Sequence, residues 1–174
     1  MHAKTDRVWL AGVIMLAAAP LARSQPVPRD VWFAMETRDV RYGFLHTTVE
    51  RLPDSSYKYV VEARSLVDLF GMARQESRQV VRCTVSSTYE LLSLESETQS
   101  NAGARKIEAK VTDAGLRVTE HSDNATSERF IKLPDHTITD VCLTDWLHEH
   151  DAGEHAKQPS AELSILDTTE LRLV

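Results

Sequence analysis

Between residues 31 and 133 the chain has almost no helical phasing. Short apolar runs alternate with clusters of turn residues, and this limits the possible folds more than any other feature. A segment of period two buries one face and wets the other, so it is stable only when paired in a sheet. The pattern is clearest where Ile107, Ala109 and Val111 alternate with Lys106, Glu108 and Lys110. Asp113-Ala114-Gly115 breaks it in hairpin style, and Leu116 and Val118 then alternate with Arg117 and Thr119. Upstream, residues 31–37 form an apolar run opened by Trp32-Phe33, and in residues 41–52 Gly43, Leu45, Thr47 and Val49 share one face. Runs at 57–67, 73–85 and 90–98 follow, and 128–133 make a last short strand before Pro134. Between them lie Leu52-Pro53-Asp54-Ser55-Ser56, Phe70-Gly71, residues 99–103 and Ser122-Asp123-Asn124-Ala125. Proline fixes φ in such turns, while Asp and Ser bond their own backbone. About eight short strands with turns at this spacing predict a mainly β (α+β) fold, a curved antiparallel β meander.

Only residues 139–150 break the pattern. Val141, Leu143, Trp146 and Leu147 are spaced as on one helix face, and Thr139 or Asp140 can cap the start. This predicts one short helix packed on the sheet, with Trp146, Val141 and Leu147 as its covering apolar group. Residues 151–159 are a polar connector, and 161–174 return to strand-like alternation through Leu163, Ile165, Leu171 and Leu173. The last four residues are apolar or strand-like. Either they close a sheet edge, or the chain is the front part of a longer protein.

The first 24 residues read as an export signal. Lys4 and Arg7 precede an apolar run over residues 8–22, and Ala22-Arg23-Ser24 puts small residues where signal peptidase needs them. An uncleaved anchor is the competing reading, but the run is short for a bilayer span and contains Pro20. The leader has the bacterial form, so the expected location is the periplasm or the medium. Removing its net charge of +2 (Lys4, Arg7 and Arg23 against Asp6) from a chain of −6 leaves −8 on residues 25–174. This single exported domain is large enough for its own core. Its acidity argues against nucleic acid and against adsorption to anionic lipid.

Candidate chemistry is sparse. His148, His150 and His155 stand near Glu149, Asp151 and Glu154, and imidazole with carboxylate can hold zinc, nickel or copper. But His148 and His150 are two residues apart and do not share a helix face, so a solvated helix end is the better reading. Two cysteines cannot form a Cys-rich zinc site. Cys83 on a strand and Cys142 on the helix are either two buried thiols or, in an oxidising compartment, one bridge. Neither sits in a Gly-rich elbow or beside a histidine in sequence, and no phosphate-loop, dinucleotide or Gly-x-Ser-x-Gly motif occurs. No catalytic residue and no cofactor is expected.

Trp32-Phe33 with Arg41-Tyr42-Gly43-Phe44 resembles the aromatic opening of a bacterial exported β-domain. Ser65-Leu66, Thr88-Tyr89-Glu90, Gly115-Leu116-Arg117-Val118, Leu133-Pro134 and Leu163-Ser164-Ile165-Leu166-Asp167 extend the likeness over about residues 29–174. That β-domain lies N-terminal to a transglutaminase-like (papain-type Cys-His-Asp) module in secreted bacterial proteins. The resemblance implies a non-catalytic front domain, with the enzyme part absent or beyond Val174. Neither Cys83 nor Cys142 has the Gly-x-Cys setting of the nucleophile, so no catalytic residue carries over. The expected partner is then a protein module. The other expectation is a periplasmic carrier or chaperone of the lipoprotein-carrier type, binding an apolar ligand between sheet and helix.

Export should yield a soluble protein beginning at Gln25. N-terminal sequencing or mass analysis of exported material tests this, and Met1 retained in a membrane fraction would refute it.

Overall fold

The computed structural model describes residues 29–37, 40–69, 73–150, 164–168 and 171–173. Eight strands hydrogen-bond in chain order into one open antiparallel sheet: β1 (Arg29–Thr37), β2 (Val40–Arg51), β3 (Tyr57–Leu69), β4 (Ala73–Val85), β5 (Leu91–Ser100), β6 (Gly103–Thr112), β7 (Gly115–Ser122) and β8 (Ala125–Ile131). The expected meander and its short helix are both present. A smaller unit follows, here called the cap: β9 (Thr137–Thr139), a 3-10 turn (Asp140–Cys142), α1 (Leu143–His150), β10 (Ser164–Asp167) and β11 (Arg172–Leu173). β10 pairs antiparallel with β11 but parallel with β9. The parallel pair is new relative to the sequence reading. It arises because α1 lies between the two strands and returns the chain in the same direction.

Local chemistry sets the turns. At the β2–β3 turn, Asp54 Oδ1 accepts from Ser56 N at 3.0 Å and from Ser56 Oγ at 2.6 Å, which holds Ser55 at φ 68°. Gly43 faces the backbone of β3, and a Cβ there would collide with the Arg64 carbonyl oxygen. The bend expected at Phe70-Gly71 lies outside the described residues.

The register puts Val49, Tyr59, Cys83, Leu94, Ala109 and Val118 in one row across β2–β7. All six are buried and form the sheet half of the core. The opposite face carries cross-strand ion pairs, including Arg78–Glu62, Arg82–Glu95 and Arg117–Glu128. Exposed pairs of this kind are each worth less than about 1 kcal/mol, so stability comes from the other face.

The cap covers that row only in part as expected: Val141 and Trp146 pack, half-buried, against the core, but Leu147 does not. The α-helix begins at Leu143, after the 3-10 turn, and this changes which side chains face inward. Cys142 and Asp145, three apart, are buried; Leu143 and Trp146 are half-buried, and Leu147 is 48% exposed. Fully buried cover comes instead from Ile138, Cys142, Leu166 and Leu171. In the tail, Leu166 is buried where the alternation pointed to Ile165, which is half-buried. Leu163 lies outside the described residues.

Leu166→Ala should therefore cost about 2–5 kcal/mol, the range for emptying a packed leucine site. Leu147→Ala should stay within about 0.5 kcal/mol, as for other surface changes. Urea midpoints of the two variants measure this, and a larger loss at Leu147 would refute the packing described.

Candidate functional site

The most connected polar group lies between cap and sheet. Asp145 on α1 is 8% exposed and takes both terminal nitrogens of Arg29, at 2.5 and 2.6 Å. Tyr59 Oη on β3 donates to Asp145 Oδ2 at 2.7 Å. Burial, with the Asp145 carboxylate as acceptor, pushes the Tyr59 phenol far above its usual pKa, so it stays a donor. Bidentate Arg–carboxylate pairing at this depth is strong but also demanding, because each partner needs the other two. The sequence reading missed this cluster. Arg29 and Asp145 are 116 residues apart, and no local motif links them.

Next to it lie the cysteines. Both are free thiols and fully buried. Cys83 Sγ is 3.7 Å from Thr139 Oγ1, and Cys142 Sγ is 3.4 Å from the same oxygen. Cys142 Sγ also lies 3.4 Å from the Thr139 carbonyl oxygen and 3.8 Å from that of Tyr89. Burial pushes the Cys83 thiol up to about 12 and the Cys142 thiol up as well. A thiol so placed is protonated at neutral pH and is a poor nucleophile.

Asp140 Oδ1 accepts from Val141 N at 2.9 Å and from Thr168 N at 3.2 Å, tying the 3-10 turn to the end of β10. Burial holds its carboxyl above the usual pKa. Among the described residues every buried side-chain nitrogen and oxygen has a hydrogen-bond partner. His148 and His150 fall on the last turn of α1, but their side chains, and the whole of His155, lie outside the described residues. Among those that are described, no group of three His, Cys, Asp or Glu side chains could hold a metal ion.

Two surface features remain. A groove of about 440 Å³ runs along β4–β7, lined by Arg78, Val80, Glu97, Lys106, His121 and Asp123 among others. Acids and bases alternate in it, so neither sign of ligand is selected. The corner formed by β1–β3 is different. Trp32 is 60% exposed, Phe33 41%, Val40 62% and Leu66 36%. Phe33 pairs with Leu45 and Leu45 with Ala63, extending the core side of the sheet past the cap. The same row continues through Gln79, Thr98 and Arg105, so the apolar surface ends at β3. On the other side Trp32 stacks on His46, centroids 3.9 Å apart, and His46 Nε2 lies 2.7 Å from Asp30 Oδ1. The sequence marked Trp32-Phe33 as the opening of a strand, but not that both rings stand at the outermost strand of the sheet.

Comparison of the chain with family models, with curated proteins and with solved structures finds no match.

Asp145→Ala should cost about 3–5 kcal/mol, since it leaves a guanidinium and a phenol facing the core without their acceptor. Tyr59→Phe removes one hydrogen bond to a charged group and should cost about 1.5–3 kcal/mol. Equilibrium unfolding of both variants checks the order, and a neutral Asp145→Ala would refute the role assigned to the cluster.

Proposed function

We propose that this chain is a non-catalytic, exported binding domain that docks a protein module of the transglutaminase-like type lying beyond it. The observation that carries this reading is the apolar corner. Four of the large side chains exposed by 36% or more stand on β1–β3, on both faces of one end of the sheet. The other exposed large apolar side chains among the described residues, Leu92, Phe130, Leu147 and Leu173, are spread over the rest of the fold. Exposed aromatic and aliphatic groups concentrated on the edge strands β1–β3 fit a protein partner better than bulk water.

Two further observations support it. The thiols are held protonated in the core, away from any substrate, so a Cys-based reaction has no activated nucleophile here. The space between helix and sheet is filled by Tyr59, Cys83, Ile138, Cys142 and Leu166, all with 2% exposure or less. A carrier of apolar ligands needs that space empty, so close packing there favours the docking reading.

Purified mature chain should incorporate no amine and hydrolyse no peptide. The assay is run on the chain alone and on its Cys83→Ala and Cys142→Ala variants. Turnover that disappears with either substitution would overturn the proposal and place an active site in this domain.

A further inference from the structure

The two cysteines approach the buried interface from opposite sides, Cys83 from β4 of the sheet and Cys142 from the 3-10 turn of the cap. Their sulfurs contact one and the same hydroxyl oxygen, that of Thr139, at 3.7 and 3.4 Å, which places the two thiols close together. The chain contains no other cysteine, so no second intrachain pairing competes. We propose that Cys83 and Cys142 form a disulfide that fastens the cap to the sheet, and that the thiol pair around Thr139 is its reduced form. This inference does not depend on the docking proposal.

The oxidant is itself a disulfide, either glutathione disulfide or the oxidised dithiol of a thiol oxidoreductase. One cysteine, as thiolate, attacks it, forms a mixed disulfide and releases the first thiol. The second cysteine then attacks the mixed disulfide and expels the second thiol. Two electrons and two protons leave the cysteine pair, and the oxidant is reduced to two thiols. Both sulfurs are fully buried under the docked cap, so exchange has to occur while the cap is off the sheet. The bond therefore forms during folding, and the folded, reduced protein resists oxidation. Once formed, it links residues 83 and 142 and restricts the unfolded chain, which stabilises the folded one.

The experiment uses the full chain, reduced, unfolded in urea and refolded by dilution into a mixture of reduced and oxidised glutathione. Alkylation followed by intact-mass analysis reads the thiols, and urea melts of the oxidised and reduced forms read the stability. The expected product is a monomer with both thiols consumed, lighter by two hydrogens and free of glutathione, with a urea midpoint above that of the reduced form. Folded, reduced protein should be oxidised more slowly in the same mixture than protein held near its urea midpoint. Cys83→Ala and Cys142→Ala should never give a monomer lighter by two hydrogens, ending instead as free thiol, glutathione adduct or intermolecular dimer, a mass readout that holds even for a variant that folds poorly. Refolded chain with both thiols still alkylatable, or carrying only glutathione or intermolecular bonds, would overturn the proposal. An oxidised monomer that melts at lower urea than the reduced form would do the same.

Discussion

Attachment of the cap to the sheet turns on one carboxylate. Asp145 binds the first residue of β1 through Arg29 and the middle of the sheet through Tyr59, while itself standing on α1. A meander of paired strands leaves its apolar face open along its whole length, and some other element has to close it. Here that element is short, and its fully buried apolar contribution is a few side chains from β9, the 3-10 turn, β10 and the turn before β11. A saturated ion pair and hydrogen bond at the rim orient the cap over the row of Tyr59 and Cys83, where shape alone would allow several placements.

The rest of the architecture follows from how far the cap reaches. Under it the sheet packs as a core, with Val85, Leu116 and Val118 fully buried. Past it, toward β1, the same side of the sheet still carries apolar residues but meets no covering layer among the described residues. One sheet face thus has two uses, a packed half and an open half. Apolar character in the open half stops where β4 brings Gln79 into the row. The charged ladders on the reverse face keep that side solvated.

The meander was legible because its evidence is local. Period-two alternation at Ile107, Ala109 and Val111 and the turn residues at 52–56, 113–115 and 122–125 each act within a few positions. The helix was found for the same reason, and Val141 and Trp146 do pack, half-buried, against the core, but Leu147 does not. A short 3-10 turn before it changed which side chains point to the sheet, exposing Leu147 and burying Cys142 and Asp145. The parallel pairing of β9 with β10, the Arg29–Asp145–Tyr59 cluster and the meeting of both thiols at Thr139 were not legible. Each joins segments far apart in sequence, and a single chain carries no periodic sign of which distant residues will meet. Trp32 and Phe33 were visible as aromatic residues, but only the exposure of Phe33 depends on where the cap ends, since Trp32 lies on the reverse face.

The order of the strands has a consequence for how the molecule assembles. Every strand of the large sheet pairs with its neighbour in the chain, so β1–β8 can grow hairpin by hairpin while only short loops are closed. The contact from Arg29 to Asp145 closes 116 residues at once and gains its reward only after both ends are in place. Assembly therefore divides into an early zipping of the sheet and a late seating of the cap. On a growing chain that division follows the direction of synthesis, since all eight strands leave the ribosome before the residues that will cover them. Until then the row from Val49 to Val118 faces solvent, which makes the interval between zipping and seating the period when the chain is most exposed to aggregation.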